Sequence, residues 1–234
     1  MSWSGQLAFG EYCAAYRGKT GDNRLHRHAA LQIVFAQSGT ASITGSDKRV
    51  HQGRVLLIRP MAAHKLDAAS AVTVLYVEAQ SPLAKTLNLR FAASDIVAVE
   101  DQSFLAHDFD RPLDAWLKDL GRGDGDAAPV MDARLSQALI LLRKTTAPLS
   151  IREVAARVGL SESRLRNLAQ DQLGFPIATW MVWRKLNRAA QALDARASLA
   201  EAAIAGGFSD QAHMTRCMRR MLGITPHTAR TAIP

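Results

Sequence analysis

The chain has 234 residues, 48% of them hydrophobic, with 29 Lys and Arg against 21 Asp and Glu and a formal net charge of +8. This is enough for two modest domains with real cores, and no apolar run is long enough to span a bilayer. The N-terminus has no basic start followed by an apolar stretch, and Cys13 and Cys217 fall in different halves, so free thiols in a reducing cytoplasm are expected rather than export.

From Trp3 to Val77 the pattern is short alternating runs, among them Leu31 to Gln37, Thr40 to Thr44, Val55 to Ile58 and Val72 to Val77. Gly39, Gly45, Gly53 and Pro60 punctuate them, which predicts an all-β barrel or sandwich. His26 and His28 are placed on one strand, at positions whose rings share a side. His64 offers a third imidazole, with Gln32 near by in sequence to the first two. Ser81-Pro82 predicts a helix through Asn88. Pro112 to Leu120 predicts another, with Leu113, Trp116, Leu117 and Leu120 on a stripe that packs on its own domain or makes a dimer contact. Gly121 to Asp126 is glycine-rich and polar, as a linker is. A helix follows from about Val130 to Thr145, apolar at Leu135, Ala138, Leu139 and Leu142.

The last third states one pattern twice. Ser150-Ile151-Arg152-Glu153 leads to Gly159-Leu160-Ser161, and Ser198-Leu199-Ala200-Glu201 leads to Gly207-Phe208-Ser209, 48 residues later (198 − 150 = 48). Each copy reads as a helix opened by a capping box, a glycine turn, and a second helix capped by serine. That is the order of parts in a helix-turn-helix, whose second helix enters the DNA major groove. The second helix of the first unit presents Ser163, Arg166 and Asn167 on its polar face. That of the second presents Gln211, Ala212, His213 and Arg216. From Ala147 onward there are 12 Lys and Arg against 6 Asp and Glu, so +6 of the chain's +8 sits in this segment. A positive excess confined to one small domain is the footprint of a phosphate-binding surface.

Gly207-Phe208-Ser209-Asp210-Gln211-Ala212-His213-Met214-Thr215-Arg216, followed by Gly223-Ile224-Thr225-Pro226, closely resembles the signature of AraC/XylS-type transcriptional regulators. Phe175-Pro176 and the stretch from Trp180 to Leu193 resemble that family's long connecting helix. The resemblance covers about Pro148 to Arg230. It implies two helix-turn-helix units joined by one helix and reading successive major-groove segments. It also implies base-edge contacts from Ser163, Arg166 and Asn167, and from Ala212, His213 and Arg216. Arginine is the commonest bidentate partner of guanine, and asparagine suits adenine. Ala169, Met218 and Ala229 depart from the aromatic residues usual at those places.

In the first half, His26-Arg27-His28 with Gln32 and Gly39 resembles the first cupin motif, and Gly53, Pro60 and His64 a loosened second one. The implied plan is α+β in two domains: a cupin-like β-barrel sensor with C-terminal helices over residues 1–120, a linker and connecting helix over 121–147, and an all-α DNA-binding domain over 148–234. Its two helix-turn-helix units span 150–174 and 198–223. The implied protein is a sequence-specific DNA-binding regulator controlled by a small-molecule effector, with His26, His28, Gln32 and His64 as its candidate pocket. Double-stranded DNA and that effector are the expected partners, with RNA polymerase and a second copy of the chain as further candidates and no membrane. No cofactor, metal or catalytic residue is expected, since Gln32 stands in place of a metal-binding carboxylate. The alternative is a cupin metalloenzyme carrying a DNA-binding tail.

Overall fold

The computed structural model describes residues 2–69, 71–88, 94–100, 110–120, 131–145 and 149–232. Among the described residues, nine strands and two helices precede the connecting helix. The strands are β1 (Ser4–Phe9), β2 (Cys13–Lys19), β3 (Ala30–Ala36), β4 (Ala41–Gly45), β5 (Val50–Gly53), β6 (Val55–Ile58), β7 (His64–Leu66), β8 (Val72–Glu78) and β9 (Ile96–Val99). They form a six-stranded sheet in the order β1-β2-β8-β3-β6-β9 and a three-stranded sheet in the order β5-β4-β7. Every strand pair is antiparallel. The predicted barrel is thus built as two facing sheets. Val34, Leu56 and Val74 from the large sheet share one core with Ile43 and Leu66 from the small one.

Because side chains alternate along a strand, the large sheet has a second face to cover. Leu31, Ile33 and Phe35 of β3 point to that face, and every residue of β3 is buried, as expected of a strand with both faces packed. Helices α1 (Pro82–Asn88) and α2 (Leu113–Leu120) cover it with Ala84, Leu87, Leu113 and Trp116. Ser81 Oγ accepts from the Ala84 amide and opens α1. The described part of the α2 stripe therefore packs on its own domain: Trp116 meets Phe35 edge-on, with centroids 5.7 Å apart. The side chains of Leu117 and Leu120, and the Gly121 to Asp126 linker, lie outside the described residues.

The helical half contains α3 (Ala133–Lys144), α4 (Ile151–Arg157), α5 (Glu162–Leu173), α6 (Ile177–Asp194), α7 (Leu199–Gly206), α8 (Gln211–Leu222) and α9 (Pro226–Ala232). Asp132 caps α3, accepting from the Arg134 amide. Leu135, Ala138, Leu139 and Leu142 of α3 join the helical core, as their spacing predicts. α6 is the shared axis, about 27 Å long for its 18 residues. It buries Ile177, Trp180, Trp183, Leu186, Ala189 and Leu193. No helix among the described residues is long and apolar enough to cross a membrane.

A candidate DNA-binding surface and the seam beneath it

Both predicted capping boxes are present. Ser150 accepts from the Glu153 amide while Glu153 accepts from the Ser150 amide, and Ser198 and Glu201 do the same. The carboxylates of Glu153 and Glu201 are held below their ordinary pKa by these bonds. The turns match as well. Leu160 donates to the Ala155 carbonyl and Phe208 to the Ala203 carbonyl, each at 2.9 Å, past glycines in the left-handed conformation.

The second recognition helix begins one residue later than its sequence suggests. The cap of α8 is Asp210, not Ser209: its carboxylate accepts from the His213 amide at 2.6 Å. A carboxylate at a helix N-terminus also interacts favourably with the dipole, which a hydroxyl cannot do. Ser209 instead donates to Asp210 and meets His213 Nδ1 at 3.1 Å. Counted from the caps, Ser163 and Ala212 hold equivalent places (163 − 161 = 212 − 210), and so do Asn167 and Arg216 (167 − 161 = 216 − 210).

Six of the seven predicted DNA-contacting side chains are exposed: Ser163, Arg166, Asn167, Gln211, Ala212 and Arg216. Leu165, Leu168 and Ala169 face inward on α5, and Met214, Cys217 and Met218 on α8. Arg166 is held by Glu162 one turn back, at 3.0 Å from Nε. An exposed pair at this spacing contributes only about 0.3–0.5 kcal/mol, so it yields readily to a base or phosphate. His213 differs from the other six. Half-buried, its ring packs edge-on against Phe208 at 5.3 Å, on the turn rather than out from the helix.

The four residues predicted as an effector pocket are brought together at one end of the sandwich, but sealed. Relative exposures are 5% for His26, 1% for His28 and Gln32, and 0% for His64. His26 and His28 are not on a strand, as the alternation predicts. The His26 backbone pairs with His64 in an isolated bridge, and β3 begins only at Ala30. The physical reason is competition for the backbone: the amides of Arg24 and His26 are taken by Gly223 and His64 carbonyls.

Each imidazole Nδ1 sits against a backbone carbonyl, His26 on Arg24 at 2.8 Å, His28 on Ala30 at 3.0 Å and His64 on Ala62 at 2.9 Å. Burial first, then mutual proximity, drives His26 down to about 3 and His64 well below its ordinary value, and burial lowers His28. The rings are neutral at pH 7. With Nδ1–H spent on carbonyls, Nε2 of His28 and His64 can only accept, yet the atom placed 2.9 and 3.1 Å from them is Gln32 Oε1, also an acceptor. An amide turned with its NH2 toward both rings satisfies the pair. The three imidazoles offer ligand atoms within 4.8 Å of one another.

Trp183 of α6 closes the cluster, 5.5 Å from the His28 ring and 5.6 Å from Tyr76. This is part of a continuous seam between the two halves that sequence reading does not anticipate. Arg184 Nη1 donates to Glu78, which is 2% exposed, at 2.5 Å, and Trp180 Nε1 donates to Gln80 at 3.0 Å. Gln80 donates to Glu78 in turn. Arg143 of α3 pairs with Glu11 at 2.9 Å and lies over the Tyr12 ring. Gly223, just past α8, accepts from the Arg24 amide at 3.0 Å. Ala232 of α9 enters the sandwich core. A small apolar cavity of about 100 Å³ remains along the seam, lined in part by Trp183, Met218 and Ala229.

A helix-turn-helix domain family matches residues 154–232. Among solved structures, the chain is similar to an apo form of ToxT from Vibrio cholerae, at 9% identity over 96% of this chain and 99% of that one, with a TM-score of 0.64. It is similar to ToxT with an unsaturated fatty acid bound, at 10% identity over 97% and 98%, with a TM-score of 0.61. An AraC-type DNA-binding domain-containing regulator from Chromobacterium violaceum is 31% identical over 42% of this chain and 89% of that chain, with a TM-score of 0.40. No curated protein matches the chain.

Proposed function

We propose that the chain is an AraC-type transcriptional regulator, its helix-turn-helix domain joined to an N-terminal antiparallel-sheet domain, and that it reads a bipartite site in the cytoplasm under control of a small molecule. The observation that carries the reading is the pair of matched units on either side of α6, each with a buried apolar face and an exposed polar one. Arg216 and Asn167, at the same place on their helices, are the proposed base readers, with Ser163, Arg166, Gln211 and Ala212 beside them. His213, turned onto Phe208, braces the second turn and contacts the phosphate backbone at most.

Control by an effector in the N-terminal domain rests on the seam. ToxT, which shares the fold, has been seen with a fatty acid bound. Here His26, His28, Gln32 and His64 are buried and Trp183 of α6 packs on the His28 ring, so a ligand reaching them from this side parts the two halves and moves α6. A ligand shifts such an equilibrium only by its differential affinity for the two arrangements. We favour this reading over a metalloenzyme because Gln32 stands beside the three imidazoles where a metal-binding carboxylate would be expected, and an amide is the poorer ligand.

Selection of bound sites from a random DNA pool tests the function. The expected result is two conserved blocks about one helical turn apart, roughly 34 Å. Arg216→Ala then loses about 1–3 kcal/mol of affinity and relaxes one base position. A pool with no enriched motif, or an Arg216→Ala loss equal on all sequences, refutes sequence-specific reading by this helix.

A further inference from the structure

Helix α6 carries Arg184, Lys185 and Arg188 to one half-open cleft of about 490 Å³, between the end of α3 and the second turn. That volume is in the range of small-molecule sites. Its apolar walls include Leu142, Trp180, Met181 and Phe208. None of His26, His28, Gln32 or His64 lines it, so it is distinct from the sealed cluster.

The cleft is short of negative charge. Glu78 pairs with Arg184 from the far side of the seam. Lys185 donates to the Gly207 carbonyl at 2.7 Å, and Arg188 reaches the Thr145 and Gly206 carbonyls only at 3.3 and 3.4 Å. Nε of Arg184 and Nε of Arg188 are buried with no acceptor. Burial, and then the Arg184 charge, lowers the Arg188 pKa, the mark of a cation without its counterion. Capping of the α7 C-terminus accounts for Lys185. It does not account for two stranded guanidinium N–H groups beside an indole and a phenyl ring.

We propose that this cleft binds a small carboxylate with an apolar body, its head between Arg184 and Arg188 and its body against Trp180 and Phe208. A guanidinium pair matches a carboxylate in shape as well as charge. The occupant touches α6, the turn of the second unit and the end of α3 together. It therefore fixes the second recognition helix relative to the first, without entering the N-terminal domain.

Calorimetry on the full-length chain decides this, with sodium decanoate and sodium 1-naphthoate as probes and 1-naphthamide and inorganic phosphate as controls. Both carboxylates are expected to bind, and 1-naphthamide about tenfold or more weaker, the loss of one charge-assisted contact. Phosphate, lacking the apolar body, does not bind. Arg188→Gln is expected to weaken the carboxylates by about tenfold or more. Met181→Trp, which fills the cleft and keeps every charge, weakens them too and stands alone if Arg188→Gln does not fold. The proposal is overturned if the carboxylates fail to bind at about 1 mM, the bottom of the useful affinity range. Equal binding of 1-naphthamide, or indifference to both variants, overturns it as well. Phosphate binding as tightly as the carboxylates assigns these cations to the DNA backbone instead, and also overturns it. Loss of the selected DNA motif would sink the proposed function while leaving the calorimetric result intact, so the two failures are distinguishable.

Discussion

Replacing Arg184 by methionine strands Glu78, and the cost can be worked from the seam. The Glu78 side chain is 2% exposed and the Arg184 side chain 14%. Removing one partner of a buried pair costs about 3–5 kcal/mol, because the other charge stays behind without compensation. Arg184 borders a half-open cleft and Gln80 still donates to Glu78, which puts the expectation at the low end, about 3 kcal/mol. Methionine retains much of the arginine stem, so little of the loss is packing. The double variant Glu78→Gln with Arg184→Met removes both charges and is expected to recover to within about 1 kcal/mol of the parent. Urea unfolding is the assay, read by tryptophan fluorescence because Trp180 and Trp183 sit at the seam, with circular dichroism in parallel. At an m-value near 3 kcal/mol/M the single variant lowers the midpoint by about 1 M. An Arg184→Met loss under about 1 kcal/mol, or a double variant no more stable than the single, refutes a closed, low-dielectric seam.

Glycine substitutions probe the same seam by sterics. A Cβ at Gly223, where φ is +69°, would stand 2.4 Å from the Arg24 carbonyl oxygen and 2.8 Å from His26 Nδ1, whereas one at Gly159, where φ is +67°, meets nothing within 4 Å. Gly159→Ala therefore costs about 1 kcal/mol of backbone strain and Gly223→Ala clearly more, seen as a Tm lower by a further several degrees at about 2–4 °C per kcal/mol; equal losses would contradict the seam geometry. Stability falls with acid through the histidines: His26, His28 and His64 are neutral in both states above about pH 6.5, and below it the unfolded chain alone takes up their protons. Each ring that stays neutral contributes a slope of about 1.4 kcal/mol per pH unit, continuing toward about pH 3 for His26; urea midpoints unchanged between pH 7 and 5 would refute the neutral cluster. Ala229→Leu fills part of the roughly 100 Å³ seam cavity and is expected to stabilise by about 1 kcal/mol in thermal unfolding, while a loss would mean the site cannot take the added methyls.

The parts legible in the sequence are those whose causes are local. Ser150 with Glu153, and Ser198 with Glu201, make their capping boxes within four residues, and the left-handed glycines at 159 and 207 end their helices where the turn requires it. Strand β3 is legible from its apolar run. The cap of α8 misleads because Ser209 and Asp210 both qualify, and the contest is decided by which oxygen reaches the His213 amide. His26 and His28 share a side only on paper: their alternation implies a strand, and the partners that deny it are a carbonyl 199 residues ahead of Arg24 (223 − 24 = 199) and the His64 backbone. The seam is invisible for the same reason. Glu78 is a strand residue with nothing near it in sequence to mark its pairing with Arg184, 106 positions away.

The fastenings are unequally distributed, and that decides which reading head an effector moves. On the side of the first unit, α3 reaches the sensor domain by way of Arg143 on Glu11 and Tyr12. The second shares α6 with Glu78, Gln80 and His28, and adds Gly223 on Arg24 and α9 against the sheet. A shift of the sensor that opens the histidine cluster thus carries α8 with it and leaves α5 on its own support. Since both helices must meet successive grooves at once, a displacement of one against the other is felt as loss or gain of the whole bipartite site. The expected footprint of effector control is therefore a change confined to the half-site read by Arg216, with contacts of the Asn167 half-site kept. Protection that rises or falls equally over both halves would place the moving joint elsewhere than at α6.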